Sequence, residues 1–413
     1  MKRGTVAAVG LLALALAGCQ DRITTPGTCP DLCPGDPIVI RDTTILAIPG
    51  GDSTFFGYAD RSDRLGLLVS DGLEAGEYRA FVAFPPVRED SVLVDNIMVK
   101  LEVDSAAVTF QLQSRDTTAT GLTLYLHRLP LGAADTTISY DSLQALLAGT
   151  PVVDSIMVPD TLKTGRIGAY LTGDEIDKVR TSAADSGRVA FGIRLRASKP
   201  TGVRLGVDNL GSTNAPTFEY RGRVDVADTS KRRQASLVRP ADITAFGYVG
   251  TVDRSIGANP DLLYLGGPAV GRGLIRFAIP PAIKDSAEIV RATLELTPAL
   301  PLLGLPNNLF GDSVSVRGIV ADLGAKSPTL NQGNLVWAGR LREGTTTPVS
   351  IELTVLANQW QLPGGPPTVV FITHLEEVYG GGFMQPVFFS TRSPTGAPRL
   401  RITYGLPTNP GRP

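Results

Sequence analysis

Short stretches of the chain alternate apolar and polar residues with a period of two. Ile97-Met98-Val99-Lys100-Leu101-Glu102-Val103, Val108-Thr109-Phe110-Gln111-Leu112-Gln113, Val314-Ser315-Val316-Arg317 and Leu400-Arg401-Ile402-Thr403-Tyr404 are the clearest. That period puts every second side chain on one face, as in a half-buried antiparallel strand. The strands are short, and turn clusters separate them. Thirteen Asp-Ser or Asp-Thr dipeptides, from Asp42-Thr43 to Asp312-Ser313, supply short polar side chains that bond their own backbone and favour turns. Helical stretches are brief, at Ser142 to Leu147, Gly173 to Val179 and Thr354 to Trp360. The pattern predicts an all-β chain closed as packed antiparallel sheets in a sandwich, with a barrel as the alternative closure.

The pattern also repeats. Thr54-Phe55-Phe56-Gly57-Tyr58 returns as Thr244-Ala245-Phe246-Gly247-Tyr248, an offset of 190 residues. Arg79-Ala80-Phe81-Val82-Ala83-Phe84 returns as Arg272-Gly273-Leu274-Ile275-Arg276-Phe277, each followed by a Pro-Pro pair and then Asp-Ser. Thr213-Asn214-Ala215-Pro216 answers to Thr395-Gly396-Ala397-Pro398, so the landmarks keep their order. Repetition of this kind predicts two tandem jelly-roll-like β-sandwich units, 49–224 and 241–405, joined by a polar linker 225–240 and followed by a tail 406–413. The linker carries Lys231-Arg232-Arg233, which reads as a solvated basic cluster.

Composition narrows the chemistry. With 45 Gly and 31 Pro in 413 residues the chain is turn-rich, and its 43% apolar content is enough to bury a core. The balance of 39 basic against 40 acidic residues leaves no field that would gather nucleic acid. Only two histidines occur, His127 and His374, which excludes a multi-histidine metal site.

The N-terminus reads as an address. Met1-Lys2-Arg3 is a basic start, and Val6 to Ala17 is an apolar run shorter than the ~20 helical residues a bilayer requires. It ends in Leu16-Ala17-Gly18-Cys19, which resembles the lipobox of bacterial lipoproteins. That resemblance implies a signal peptide 1–18, lipidation of Cys19, and attachment to a membrane through acyl chains rather than a spanning helix. Gln20, where an aspartate would imply inner-membrane retention, favours an outer-membrane lipoprotein of the cell envelope, facing either the periplasm or the outside. Residues 19–48, rich in proline, read as a stiff tether, and Cys29 and Cys33 as a small disulfide loop in an oxidising compartment.

The second unit is similar to a known family. Leu263-Tyr264-Leu265-Gly266-Gly267, Arg272-Gly273-Leu274-Ile275-Arg276-Phe277, Ile289-Val290-Arg291-Ala292-Thr293-Leu294-Glu295-Leu296, Ile351-Glu352-Leu353-Thr354 with Trp360, Phe388-Phe389-Ser390-Thr391, and Ala397-Pro398-Arg399-Leu400-Arg401-Ile402-Thr403-Tyr404 follow one another as in DNRLRE-type domains, also called disaggregatase-related. The resemblance implies a secreted β-sandwich with links to carbohydrate binding. Departing from the family, Ala321 to Val336 contains no tryptophan and the first unit has none at all.

Candidate sites follow from these readings. Sugar stacking needs aromatic faces, and Trp337, Tyr264, Tyr379 and Phe383 are the candidates, with Gly380-Gly381-Gly382 allowing close backbone approach. Asp60 and Asp63 could supply oxygen ligands to calcium, although Arg61 and Arg64 between and after them suit a solvated turn. No cofactor is implied. His374 with Tyr379 is the one pair that could serve acid/base chemistry in a polysaccharide lyase, whereas Glu376 and Glu377, adjacent on a strand, would face opposite ways. His127 alternates as a strand residue, and neither a nucleophile elbow nor a phosphate loop occurs. The expectation is a non-enzymatic envelope lipoprotein binding polysaccharide, with a structural or assembly protein contacting other envelope proteins as the alternative.

Overall fold

The computed structural model describes residues 39–56, 66–73, 76–84, 92–94, 97–99, 101–130, 137–179, 188–207, 214–224, 234–240, 246–251, 259–267, 270–302, 313–330, 337–342, 344–374 and 382–406. Cys19, Cys29, Cys33, Asp60, Asp63, Lys231 to Arg233, Glu376, Glu377, Tyr379, Gly380 and Gly381 lie outside them. Among the described residues no helix is long and apolar enough to cross a membrane.

The strands, in chain order, are β1 (Val39–Phe55), β2 (Gly66–Asp71), β3 (Tyr78–Phe84), β4 (Val92–Val94), β5 (Ile97–Val99), β6 (Leu101–Arg115), β7 (Thr123–Arg128), β8 (Val152–Met157), β9 (Gly165–Thr172), β10 (Val189–Arg196), β11 (Thr201–Gly206) and β12 (Thr217–Val224). They continue as β13 (Gln234–Pro240), β14 (Phe246–Gly250), β15 (Leu262–Tyr264), β16 (Arg272–Phe277), β17 (Glu288–Leu296), β18 (Ser313–Gly318), β19 (Trp337–Arg340), β20 (Val349–Glu352), β21 (Val369–His374), β22 (Val387–Phe389) and β23 (Arg399–Leu406). Four short helices interrupt them: α1 (Tyr140–Gly149), α2 (Asp174–Val179), α3 (Pro281–Lys284) and α4 (Thr354–Trp360). The chain is all-β with antiparallel pairing, and the three brief helices expected from the sequence are present.

Buried apolar side chains gather in two large clusters. The first unites the sheets β14-β3-β10-β7-β8 and β13-β12-β6-β11-β2, with β9 on β6. Phe84, Phe191, Phe218 and Tyr220 form its centre, with ring centroids 4.7 to 6.1 Å apart. Helix α1 covers the outer side of the first sheet, placing Leu143 and Leu147 against Phe81, Leu129 and Val249. It starts where Ser139 Oγ accepts from the Ser142 amide at 3.2 Å, an N-cap that satisfies one otherwise orphaned donor. The second cluster lies under the sheet β19-β18-β21-β16-β1-β23-β17-β20 and contains Trp360, which is 1% exposed.

The connectivity departs from the tandem arrangement read from the repeat. β1 crosses between two strands of the second unit: Val39 to Leu46 pair with Leu406 to Arg399 of β23, and Asp52 to Phe55 pair with Ile275 to Arg272 of β16. The register shifts between Ala47 and Asp52, where Pro49-Gly50-Gly51 bends the strand and Gly50 has φ +70°, a left-handed value that favours glycine. In the first unit the same two places are filled by β13, which pairs with β12, and β14, which pairs with β3. The seventeen residues of β1 thus do for the second unit what residues 234–250 do for the first.

Three expected boundaries change accordingly. Residues 39–48, read as part of the tether, are strand; 234–240, read as linker, are strand; and Leu406, read as tail, ends β23. The first unit is contiguous from β2 to β14, and the second consists of β1 together with β15 to β23. The first unit is therefore inserted between the opening strand of the second unit and the rest of it. The sequence match between 54–58 and 244–248 was real as a landmark, but these strands close opposite units from those expected.

Candidate functional site

Of the aromatic candidates, Phe383, Trp337 and Tyr264 are described, and each is at least half-buried. Phe383 is 8% exposed and belongs to the core of the first unit, where its ring meets Tyr78 edge-on at 5.7 Å. Tyr78 in turn donates its hydroxyl to the Gly382 carbonyl at 2.9 Å and packs on Tyr248 at 5.3 Å. Gly202 is what lets the ring in, since a Cβ there would lie 2.6 Å from it. Phe383 is thus a plug that fastens the second unit to the first, not a ligand surface. Replacing Gly202 by alanine is expected to push Phe383 out and lower the melting temperature by several degrees, read by thermal unfolding.

Trp337 is half-buried on β19, opposite Val316, and packs against the second cluster. Tyr264 is half-buried on β15, opposite Val387. Among the described residues no three His, Cys, Asp or Glu side chains gather as a metal site.

The two histidines are structural in their surroundings. His127 sits on β7 with Nδ1 3.1 Å from the Thr150 carbonyl at the end of α1, and burial lowers its pKa. His374 ends β21 opposite Val314, is 0% exposed, and neither ring nitrogen has a hydrogen-bond partner among the described residues. Burial pushes its pKa down to about 4 from an ordinary 6.5. The fold therefore holds the neutral ring, whereas an unfolded chain takes up a proton near pH 6.5. Stability from this group is complete above pH 6.5 and declines as pH falls toward 4, by up to ~1.4 kcal/mol per unit. His127 acts in the same direction. His374→Leu is expected to flatten the decline in the urea midpoint between about pH 6.5 and 4.5; an unchanged slope would show that His374 is not its source.

A different feature stands out on the exposed face of β1, β23, β17 and β20. A shallow trough of about 290 Å³ is lined by Asp42, Thr43, Thr44, Arg291, Thr293, Glu295, Ser350, Arg401 and Thr403. Strand alternation builds it. While Ile45, Ala47, Leu294, Leu400 and Ile402 turn inward to the second cluster, their neighbours Thr44, Glu295, Arg399, Arg401 and Thr403 turn outward. The antiparallel register then aligns them in cross-strand rows, Asp42 beside Thr403 beside Arg291, and Thr44 beside Arg401 beside Thr293.

Glu295 anchors the trough. It is only 7% exposed, with Arg399 Nε at 2.5 Å and Arg401 Nη1 at 3.2 Å. Burial alone would raise its pKa, and the hydrogen bonds and charges of the two arginines overcome this and hold it below the usual carboxylate value. Arg291 Nε meets Glu352 at 3.0 Å, and the pKa of Glu352 is also lowered: burial opposes this, and the bonds from Thr354 and Arg291 prevail. Thr403 donates to Asp42 at 2.5 Å. Glu295 and Glu352 are thus ionised at neutral pH with their charges matched by arginines, and five hydroxyl side chains, Thr43, Thr44, Thr293, Ser350 and Thr403, complete the lining.

None of these residues was singled out from the sequence as a site. Their signal was the polar half of the alternation in Leu294-Glu295-Leu296 and Arg399-Leu400-Arg401-Ile402-Thr403, which by itself looks like solvated strand. Strands separated by a hundred residues share a row only once the register is known.

The fold and trough define an all-β protein of antiparallel sheets with a polar, charge-balanced sheet face. No protein-family model matches the chain, and no curated protein matches it. Among solved structures, a chain titled "Structure of infectious bursal disease virus Gx strain" aligns over 92% of this chain and 80% of its own at 11% identity, with a TM-score of 0.13, too low to carry an argument.

Proposed function

We propose that the protein is a lipid-anchored, non-enzymatic component of the cell envelope that binds polysaccharide through the sheet face of its second unit. The observation that carries this reading is the trough around Glu295, where fixed arginine, carboxylate and hydroxyl groups face solvent together. Sugars present rows of hydroxyls, and groups that both donate and accept at fixed spacing match them. Its arginine and carboxylate charges balance, so neutral glycan fits better than a strongly anionic polymer. Each hydrogen bond adds a net of only ~0.5 to 1.5 kcal/mol, and the trough has no aromatic floor, so single-site affinity is weak. Anchoring through Cys19 would compensate, because many copies on one membrane bind a polymer multivalently.

Retention of the mature lipidated chain, displayed on vesicles, by immobilised polysaccharides tests the reading. Wild type is expected to be retained on neutral polysaccharide and Arg401→Ala to reduce retention about tenfold, the loss of roughly one charged hydrogen bond. Retention should stay level between about pH 5 and 8, since Glu295 and Glu352 remain ionised throughout. No retention on any neutral or acidic polysaccharide would end the glycan reading. Cys19→Ser is expected to release the protein from the membrane fraction; persistence there would remove the anchor.

A further inference from the structure

We propose that β1 is a transferable closing strand, and that the partner fitted to the slot between β16 and β23 is a second copy of this chain, whose own β1 enters it. The slot reads backbone edges on both sides: eight register pairs with β23 and five with β16 hold the strand. Such a site accepts any strand of the right length and alternation, and a second copy supplies an identical one. Exchange replaces each contact by itself, so the closed single chain and the exchanged pair differ little in contact energy.

Three observations favour exchange of β1 over exchange of any other strand. First, among the described residues no strand precedes β1, so its exchange threads none of the described strands through the fold. Its counterpart, residues 234–250, has described strands on both sides, β12 before it and β15 after it. Second, β1 adds little to the core: Ala47 is its only member of the second cluster, with Ile45 half-buried against it. What holds it is the backbone ladder and side-chain clasps, namely Thr391 to Asp52, Thr403 to Asp42, and Arg276 Nη1 to the Gly51 carbonyl at 2.9 Å. The apolar residues of the second cluster thus come almost wholly from β15 to β23, and what β1 supplies is the ladder that closes them. Third, the whole first unit intervenes between β1 and the strands it completes, so during synthesis β1 emerges long before β16 and β23 exist. On a crowded membrane a newly made second unit meets the β1 of its neighbours as well as its own. Head-to-tail transfer then links copies into open chains or closed rings.

The experiment uses the full chain, with Cys29→Ser and Cys33→Ser throughout, co-expressed as two forms in one membrane. One form carries Asp42→Cys and the other Thr403→Cys, at side chains that meet across the strand pair. Cross-strand neighbours of this kind fall within disulfide reach. Expected is an oxidised species of twice the chain mass, at least tenfold stronger in the mixture than with either form alone. A chain carrying both cysteines serves as the reference and is expected to close its internal bond. An internal bond in that chain with no cross-chain species in the mixture would overturn the proposal. So would equal cross-chain bands from single forms, which report random encounter, and so would failure of the double form to close, which would show that the slot does not hold β1.

Discussion

Deleting residues 39–56 from the mature chain is expected to unfold the second unit while leaving the first intact. The deleted strand is central, not peripheral: β16 lies on one side of it and β23 on the other, so its loss separates the two halves of the sheet that carry the second cluster. Roughly a dozen ladder hydrogen bonds disappear, each of net ~0.5 to 1.5 kcal/mol, against a total stability of ~5 to 15 kcal/mol for a domain. The first unit owes nothing to β1, since β13 and β14 fill its equivalent places. Hydrogen exchange read by mass spectrometry would separate the outcomes: fast exchange in β16 to β23 with protection retained in β2 to β12 is expected. Protection retained throughout would mean that the second unit closes without β1.

The second large effect is expected at Arg79. This arginine is 2% exposed, yet all its contacts are met: Glu77 at 2.5 Å, Gln144 at 2.9 Å, and the carbonyls of Ser70 and Tyr78 at 2.8 and 3.1 Å. Tyr140 closes the group, donating to Glu77 at 3.0 Å while its ring lies under the Arg79 guanidinium. Burial pushes the Tyr140 pKa up to about 12. Burial also raises that of Glu77, but bonds from Gly72, Arg79 and Tyr140 outweigh it and leave the carboxylate acidic. Arg79→Met keeps the length of the side chain and removes the charge, so Glu77 loses its cationic donor while Gly72 and Tyr140 still donate to it, and the carbonyls of Ser70 and Tyr78 lose their guanidinium donor inside the protein. The expected loss is about 3 to 5 kcal/mol, the range for breaking a buried pair by removing one partner. Replacing Glu77 by Gln in the same protein should recover part of it, whereas Arg291→Met on the exposed Arg291–Glu352 pair should cost under ~1 kcal/mol. Equal losses at the two arginines in urea titrations would contradict this account of Arg79.

Alternation at period two marked β5, β6, β18 and β23, because one buried face imposes it along a strand. The site of His127 was readable for the same reason, as a residue of an alternating strand, whereas Trp360 lies on helix α4 and that period does not mark it. What was not legible is pairing between distant segments. The repeat showed that 54–58 and 244–248 are equivalent, but equivalence says nothing about which unit a strand joins, because both slots have the same chemistry. The proline content before Pro49 suggested a tether, yet Val39 to Ala47 contains no proline and alternates Asp42, Thr44 and Leu46 outward against Thr43, Ile45 and Ala47 inward. Phe383 misled differently. An aromatic beside glycines suits a binding loop, whereas here the ring enters a neighbouring core at the space left by Gly202. The trough was hidden because it is made from the outward residues of four strands far apart in the chain.

The insertion of the first unit within the second can be tested most directly with one designed fragment. Leu406 and Val39 are paired at one end of β23 and β1, so a two-residue Asn-Gly turn can join them as a hairpin. The fragment then runs 259–406, Asn-Gly, 39–56, with every strand of the second unit continuous in one chain. Its thermal unfolding by circular dichroism is expected to show a single cooperative transition, while 241–405, cut at the boundaries the repeat suggests, shows none. A cooperative transition in 241–405 together with its absence from the joined fragment would contradict the fold described.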